Sequence, residues 1–240
     1  MEDATNYEAE AIAYQEKIEK ETIEGLSLIS KHLAKSKRYF MLNLQFIETD
    51  QDVYRQITVP ADITFFDLHI IIQDCFNWMD YHLFDFQYVY RKKLKMITER
   101  FDEDLFDDTA RNKALEAHEV RLDAVFPQTM AVKYSYDYGD GWELLVTLMS
   151  EATGYGEVSL DAPVCNEGAG AVPPEDVGGW GGFEDFLIAI NDKTDSEHEH
   201  MSAWGRGQGF EDKFEHKKIN SRMAKWKTHK RIHEKNMREG

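Results

Sequence analysis

The sequence predicts an α+β fold: a single domain whose antiparallel or mixed β-sheet is crossed by a helix, with helical extensions at the N- and C-termini. Three observations predict it. Large apolar residues alternate with polar ones in five separate stretches, as half-buried strands require. Between the second and third of these, the apolar spacing switches to three and four, which is helical. Aromatic residues make up 12% of a 240-residue chain, enough for one sizeable core without disulfide staples.

The elements follow in order. Residues 5–36 are predicted to be helical, because Tyr7, Ala11, Tyr14, Ile18, Leu26, Ile29 and Leu33 recur at spacings of three and four; Gly25 weakens the middle. In Phe40-Met41-Leu42-Asn43-Leu44-Gln45-Phe46 the even positions are large and apolar, a half-buried strand. A second strand runs from Val53 to Val59 and stops at Pro60. Thr64 and Asp67 form a capping-box pattern, with Asp in place of the usual Glu or Gln. The helix it opens carries Phe65, Leu68, Ile71, Ile72, Cys75 and Phe76 on one side. His82 to Tyr90 alternates again, with Phe84, Phe86, Tyr88 and Tyr90 on one face. Residues 91–128 place a basic patch (91–95) before an acidic run (102–108). Phe106, Asp107 and Lys113 break the calcium-loop template, so the run reads as a solvated loop.

The sharpest local prediction is a hairpin. Met130, Val132, Tyr134 and Tyr136 pair with Trp142, Leu144, Val146 and Leu148 across Tyr138-Gly139-Asp140-Gly141, whose glycines supply positive φ angles. Residues 150–182, rich in Gly and Pro, are predicted to be loop. A short helix at 183–190, a polar Gly-spaced segment to Gly209 and a tail helical near Ile219, Met223 and Trp226 complete the chain. The expected organisation is an N-terminal helical extension (1–37), the α+β domain (38–212) and a basic C-terminal tail (213–240).

Charge narrows the function classes. The chain has 28 Lys+Arg against 45 Asp+Glu, a net −17. Residues 213–240 hold ten bases and three acids, a surplus of +7, which leaves −24 on the rest. An acidic body repels phosphate, so nucleic acid is a possible partner only through the tail, by Lys217, Lys218, Arg222, Lys225, Lys227, Lys230 and Arg231. The alternative for the tail is to fold back on the acidic body. No apolar run approaches the ~20 residues of a membrane span, so no membrane partner is expected. The start Met1-Glu2-Asp3-Ala4-Thr5 lacks the basic and apolar stretches of a signal peptide. Two cysteines, Cys75 and Cys165, suit a reducing compartment; a cytoplasmic location is expected.

Candidate chemistry collects on two loops. Asp137, Asp140, Trp142 and Glu143 mark the hairpin mouth; Pro173, Pro174, Glu175, Asp176, Gly178 and Gly179 mark the loop before the 183–190 helix. Converging carboxylates can hold a hard cation or divide into a general acid and a base; equally, Asp137 and Asp140 can accept hydrogen bonds from turn amides. No H-E-x-x-H or paired C-x-x-C spacing occurs, and His198, His200 and Cys165 fall one short of the four ligands of a structural zinc. No metal and no cofactor is therefore expected. His82 reads as a half-buried histidine, Cys75 as a core thiol, and Cys165 as a thiol in a polar loop.

Taken jointly, several segments carry a resemblance. Val53-Tyr54-Arg55 with Val59-Pro60, Leu68-His69, Trp78 through His82-Leu83-Phe84-Asp85-Phe86, Tyr136-Asp137-Tyr138-Gly139-Asp140-Gly141-Trp142-Glu143, Pro173 to Gly179 with Gly182-Phe183, His198-Glu199-His200 and Phe210 to Phe214 occur in this order. The chain resembles the Ri-plasmid open-reading-frame-three-like domain family, which includes transposon passenger proteins, over about Tyr39 to Asn220. Leu144 and Val172 stand where the family commonly has His and Cys. The resemblance implies fold and genomic setting without a reaction. The expectation is a bacterial accessory or mobile-element-associated protein, a non-enzymatic binding or interaction module for a protein or small-molecule partner. The alternatives are a metal-dependent hydrolase using the loop carboxylates and a nucleic-acid binder using the tail.

Overall fold

The computed structural model describes residues 20, 37–47, 49–99, 114–154 and 162–239. Arg38–Ala152 with Leu160–Gly240 form one compact unit, which carries the site and all but the end residues of the sheet. The predicted 5–36 helix and the 102–108 acidic run lie outside the described residues.

Among the described residues eight strands form one mixed sheet. They are β1 (Lys37–Phe46), β2 (Tyr54–Pro60), β3 (Phe84–Tyr90), β4 (Lys93–Thr98), β5 (Leu115–Glu116), β6 (Ala131–Tyr136), β7 (Trp142–Gly154) and β8 (Val164–Ala169). Their order across the sheet is β5-β4-β3-β6-β7-β1-β2-β8. The β1–β2, β2–β8, β3–β4, β3–β6 and β6–β7 pairs are antiparallel and β4–β5 is parallel. The predicted alternation holds: Phe40, Leu42, Leu44 and Phe46 of β1, and Trp142, Leu144, Val146 and Leu148 of β7, are buried in one core. The fold is α+β, as the periodicities predict.

Helix α1 (Phe65–Phe76) opens on the predicted capping box. The Thr64 hydroxyl accepts the Asp67 N–H at 3.1 Å, and the Asp67 carboxylate accepts the Thr64 N–H at 2.9 Å. All twelve of its residues are buried, including Asp67, His69, Gln73 and Asp74. One apolar face covers the sheet: Phe65 meets Phe86 edge-on with ring centres 5.0 Å apart, and His69 hydrogen-bonds the Tyr134 hydroxyl at 2.8 Å. The polar face is buried because the tail lies over it.

The other helices among the described residues are α2 (Leu122–Val125), α3 (Gly179–Asn191), α4 (His198–Gly207), α5 (His216–Met223) and α6 (Trp226–Glu239). Ile219 and Met223 of α5 and Trp226 of α6 belong to the core. The basic residues fasten these helices to acids of the body: Lys230 reaches Asp67 at 2.6 Å, His229 reaches Asp74 at 2.5 Å, and His233 reaches Asp80 and Glu99. The tail therefore folds back on its own protein.

Three stretches hold elements that the periodicities did not mark, and of these the 150–182 loop prediction is overturned. Residues 91–128 contain β4, joined to β3 by Arg91 and Lys92, both at positive φ (49° and 61°). Long basic side chains rarely occupy a two-residue left-handed turn, so the hairpin lacked its usual Gly or Asn signal. The 150–182 stretch holds the end of β7 and all of β8. In β8 only Cys165 is fully buried, so this edge strand shows no alternation, and Cys165 is a strand residue rather than a loop one. Gly168 and Gly170 fit there for lack of side chains: a Cβ on Gly168 would lie 2.7 Å from the Arg55 Cδ. The Gly-spaced segment before Gly209 is largely the helix α4, whose Gly205 lets the Phe186 ring approach.

Candidate functional site

Three connections meet at one end of the sheet: the 77–83 segment between α1 and β3, the 137–141 turn between β6 and β7, and the 170–178 loop between β8 and α3. Their contacts are backbone and side chain together. The Trp78 indole N–H donates to the Pro173 carbonyl at 3.0 Å, and its ring stacks on Tyr136 with centres 5.0 Å apart. The Met79 N–H donates to Glu175 at 2.6 Å, the Tyr136 hydroxyl donates to the other Glu175 oxygen, and the Tyr81 N–H donates to the Tyr136 hydroxyl at 3.1 Å. Glu175 is 2% exposed. Burial raises its pKa, and the two donors only partly offset that; the Tyr136 hydroxyl is held far above its ordinary value by burial and by the carboxylate it faces. Glu175 is thus a buried fastening of the loop, shielded from any ligand.

The two signature loops also touch directly. The Gly178 N–H donates to the Asp140 carboxylate at 3.2 Å. Gly179, at φ +70°, passes so near the turn that a Cβ there would stand 2.9 Å from the Asp140 carbonyl oxygen. Within the turn, Asp137 sits at φ +52° and its Oδ1 accepts the N–H groups of Gly139 (3.0 Å) and Asp140 (3.3 Å). Asp is among the few residues that tolerate this conformation, because its short side chain bonds its own turn.

Its second oxygen is left for other work. Asp137 Oδ2 lies 3.4 Å from His82 Nε2, and Asp176 Oδ1 lies 3.2 Å from the same nitrogen. The Nε2 atom is closed off from solvent and makes no hydrogen bond despite these neighbours. The ligand atoms of His82, Asp137 and Asp176 all lie within 4.8 Å of one another. Such a set suits a metal. With metal–nitrogen and metal–oxygen bonds of about 2.0–2.1 Å, tetrahedral angles separate a nitrogen and an oxygen ligand by about 3.3 Å. Asp137 is buried, His82 is half-buried, and Asp176 is exposed on the side where a groove of about 560 Å³ runs between α3 and α4 past Phe186, Met201 and Trp204.

The predicted residues therefore divide. Asp137, Asp140, Glu175, Asp176, Gly178, Gly179, Pro173 and Pro174 come together at this mouth. Trp142 lies behind it, fully buried in the aromatic core. Glu143 is turned away and pairs with Lys133. His82, read from the sequence as a half-buried histidine, is half-buried and stands between Asp137 and Asp176; the only sign of that placement was its position within the Trp78–Phe86 segment. His198 instead bonds the Ala189 carbonyl at 2.9 Å. Leu144 is sealed in the core and Val172 packs against that core. Of the tail residues, Arg222 donates to the Asp74 carbonyl and to Glu211, Lys218 lies 3.6 Å from Glu211, and Lys230 is paired with Asp67; Lys217, Lys225, Lys227 and Arg231 are exposed.

These features define an α+β protein with a loop-built histidine–carboxylate site at one end of its sheet. The family model for the plasmid pRiA4b ORF-3-like protein matches residues 38–222, and the chain belongs to that family. The family is named for a plasmid gene product, in keeping with a mobile-element setting. Among curated proteins the chain is similar to the uncharacterized protein y4hQ of Sinorhizobium fredii (strain NBRC 101917 / NGR234), 32% identical over 154 residues, which is 63% of this chain and 73% of that one. Among solved structures it is similar to the protein of unknown function MM3350 from Methanosarcina mazei Go1, with a TM-score of 0.64 and 29% identity, covering 75% of this chain and 97% of the other. Among the described residues no helix is long and apolar enough to cross a membrane.

Proposed function

We propose that the protein is a binding module in which the two signature loops hold a divalent metal ion on His82, Asp137 and Asp176, and present it at the α3–α4 groove. The observation that supports this is the His82 Nε2: solvent-excluded, without a hydrogen bond, and spaced from two carboxylate oxygens as metal ligands are. One imidazole and two carboxylates suit Zn²⁺ or Mn²⁺ better than the all-oxygen preference of Ca²⁺. Three protein ligands leave at least one position for a partner's donor atom or for water.

The test is metal uptake by chelator-stripped protein. Elemental analysis and calorimetry are expected to give about one equivalent of Zn²⁺ or Mn²⁺ and a raised thermal midpoint, both lost in His82→Ala. Stripped protein that takes up neither ion, or a His82→Ala variant that binds as well as the parent, overturns the reading.

A metal-dependent hydrolase is the second reading, favoured by the exposed Asp176 side, where a bound water would meet a substrate lying in the groove. Of the five carboxylates first considered for it, Asp137 and Asp176 are the ones within ion-pair distance of His82 Nε2. Turnover of ester or phosphoester substrates that needs the metal would move the protein into this class. A nucleic-acid reading has less in its favour, since Lys218, Arg222 and Lys230 are paired within the chain.

A further inference from the structure

Helices α3 and α4 pack through an aromatic contact: the Phe186 ring meets Trp204 edge-on, with ring centres 5.5 Å apart. In the groove between them, α3 contributes Asp185, Phe186 and Ala189 and α4 contributes Met201 and Trp204. Spacings of three and four place each set on one face of its helix. Phe186 is buried, Met201 and Trp204 are half-buried, and Ile188 at the edge is 61% exposed. The groove therefore has an apolar floor open to solvent.

Its walls carry one sign of charge. Asp176, Asp185, Asp195 and Glu197 line it, and no Lys or Arg does. Asp176 precedes α3, while Asp195 and Glu197 follow it, so the acids bracket the whole helical stretch. Among the described residues, Asp185, Asp195 and Glu197 enter no ion pair. The acids under the tail differ: Asp67, Asp74 and Asp80 are matched by Lys230, His229 and His233. The groove lacks the basic complement that the tail supplies to α1.

We propose that the α3–α4 groove docks a basic segment of another protein. A large apolar side chain of that segment sits on Phe186, Met201 and Trp204, and its Lys or Arg side chains meet Asp185, Asp195 and Glu197. The inference rests on the reading of this end of the sheet as a binding site, and adds the partner's chemistry; it does not require the metal to be bound. Charge complementarity selects the occupant. An acidic partner or a nucleic acid is repelled, and a neutral helix would cover the carboxylates without pairing them. A small polyamine would leave the apolar floor unused. The groove, about 560 Å³, takes a few side chains of a docked segment, as helix-in-groove recognition does. The chain's own basic stretch is engaged elsewhere, with Ile219, Met223 and Trp226 in its core and Lys230 on Asp67, which favours a different protein over a second copy.

The experiment titrates fluorescein-labelled synthetic peptides with the full-length chain, read by anisotropy, once after chelator treatment and once with Zn²⁺ added. The first peptide is amphipathic, with Leu and Phe on one face and Lys and Arg on the other. One control replaces its bases by Glu, and a second replaces its Leu and Phe by Ser. The first peptide is expected to bind in both conditions, about tenfold or more tighter than either control. Its binding should weaken as KCl is raised. Asp185→Lys and Ile188→Ser, both at exposed positions, should each weaken it severalfold while leaving the thermal midpoint nearly unchanged. Binding that both substitutions leave intact, equal binding of the Ser-substituted control, displacement by spermidine, or self-association of the chain that Asp185→Lys abolishes overturns the proposal. Metal uptake without peptide binding overturns it too and leaves the metal reading standing; peptide binding without metal uptake supports it and removes the metal.

Discussion

His233 Nδ1 lies 2.5 Å from Asp80 Oδ2, and the other Asp80 oxygen lies 2.7 Å from His69 Nε2, so one half-buried carboxylate ties the C-terminal helix to α1. The chain of groups continues: His233 Nε2 is 3.0 Å from Glu99, whose other oxygen is 3.1 Å from His118. Burial alone would push the imidazole of His233 down, but its bonds to Asp80 and Glu99 outweigh that and hold it up at about 10. In the same way burial would raise Glu99, yet His118 and His233 hold it down at about 2. The acidic body and basic tail are therefore one electrostatic unit.

A pH dependence follows. His233 is raised above its ordinary 6.5, so the folded state holds its proton more tightly than the unfolded state does. Its contribution is complete below about 6.5 and is lost as pH rises through about 10. Thermal midpoints measured from pH 6 to 11 should fall along this limb, and His233→Gln should flatten it. Parallel slopes in the two proteins would show that the pair contributes nothing to the limb.

The seating of α6 can be tested apart from its charges. Trp226 is 6% exposed within the core cluster. Trp226→Ala removes that indole and should cost about 3–5 kcal/mol in urea denaturation. Exchanging exposed Lys227 for Gln should stay within about 0.5 kcal/mol. Equal effects of the two substitutions would mean that the tail is not docked.

Two neighbouring glycines make opposite predictions. A Cβ on Gly182 would stand 2.0 Å from the Val177 carbonyl oxygen, so Gly182→Ala must displace the second signature loop and should destabilise the protein by about 1–3 kcal/mol. Gly181 has open space at the same position of α3. There Gly181→Ala should stabilise by about 0.5–1 kcal/mol through lower unfolded-state entropy. Chemical denaturation of both variants measures the contrast.

Where local pattern decides structure, the sequence was readable. The β6–β7 hairpin, the capping box at Thr64 and the apolar face of α1 are each set by neighbours within a few residues. What long-range pairing decides was not readable. The polar face of α1, with Asp67 and Asp74, is buried because α5 and α6 cover it, and nothing local announces that cover. β8 is a strand because β2 offers it an edge, not because Asn166, Glu167 and Gly168 prefer one. The candidate site shows the same division: turn chemistry marked Asp137 and the Gly-rich loop marked Asp176, but His82 meets the two carboxylates only when three distant connections converge.

Asp137 has two duties that one pair of substitutions can separate. With its own backbone at positive φ, its Oδ1 accepts the Gly139 and Asp140 amides, and its Oδ2 faces His82. Asn tolerates the same backbone conformation and keeps an oxygen for the amides, but carries no charge. Asp137→Asn should therefore stay within about 1 kcal/mol of the parent in stability while losing most of its metal uptake. Asp137→Ala loses the turn bonds and strains at φ +52°, which should cost about 1–3 kcal/mol in addition. Calorimetric metal titration and denaturation of both variants give the two readouts separately. If Asp137→Asn took up metal like the parent, the carboxylate would be a turn residue only, and His82 would have to find its partners elsewhere.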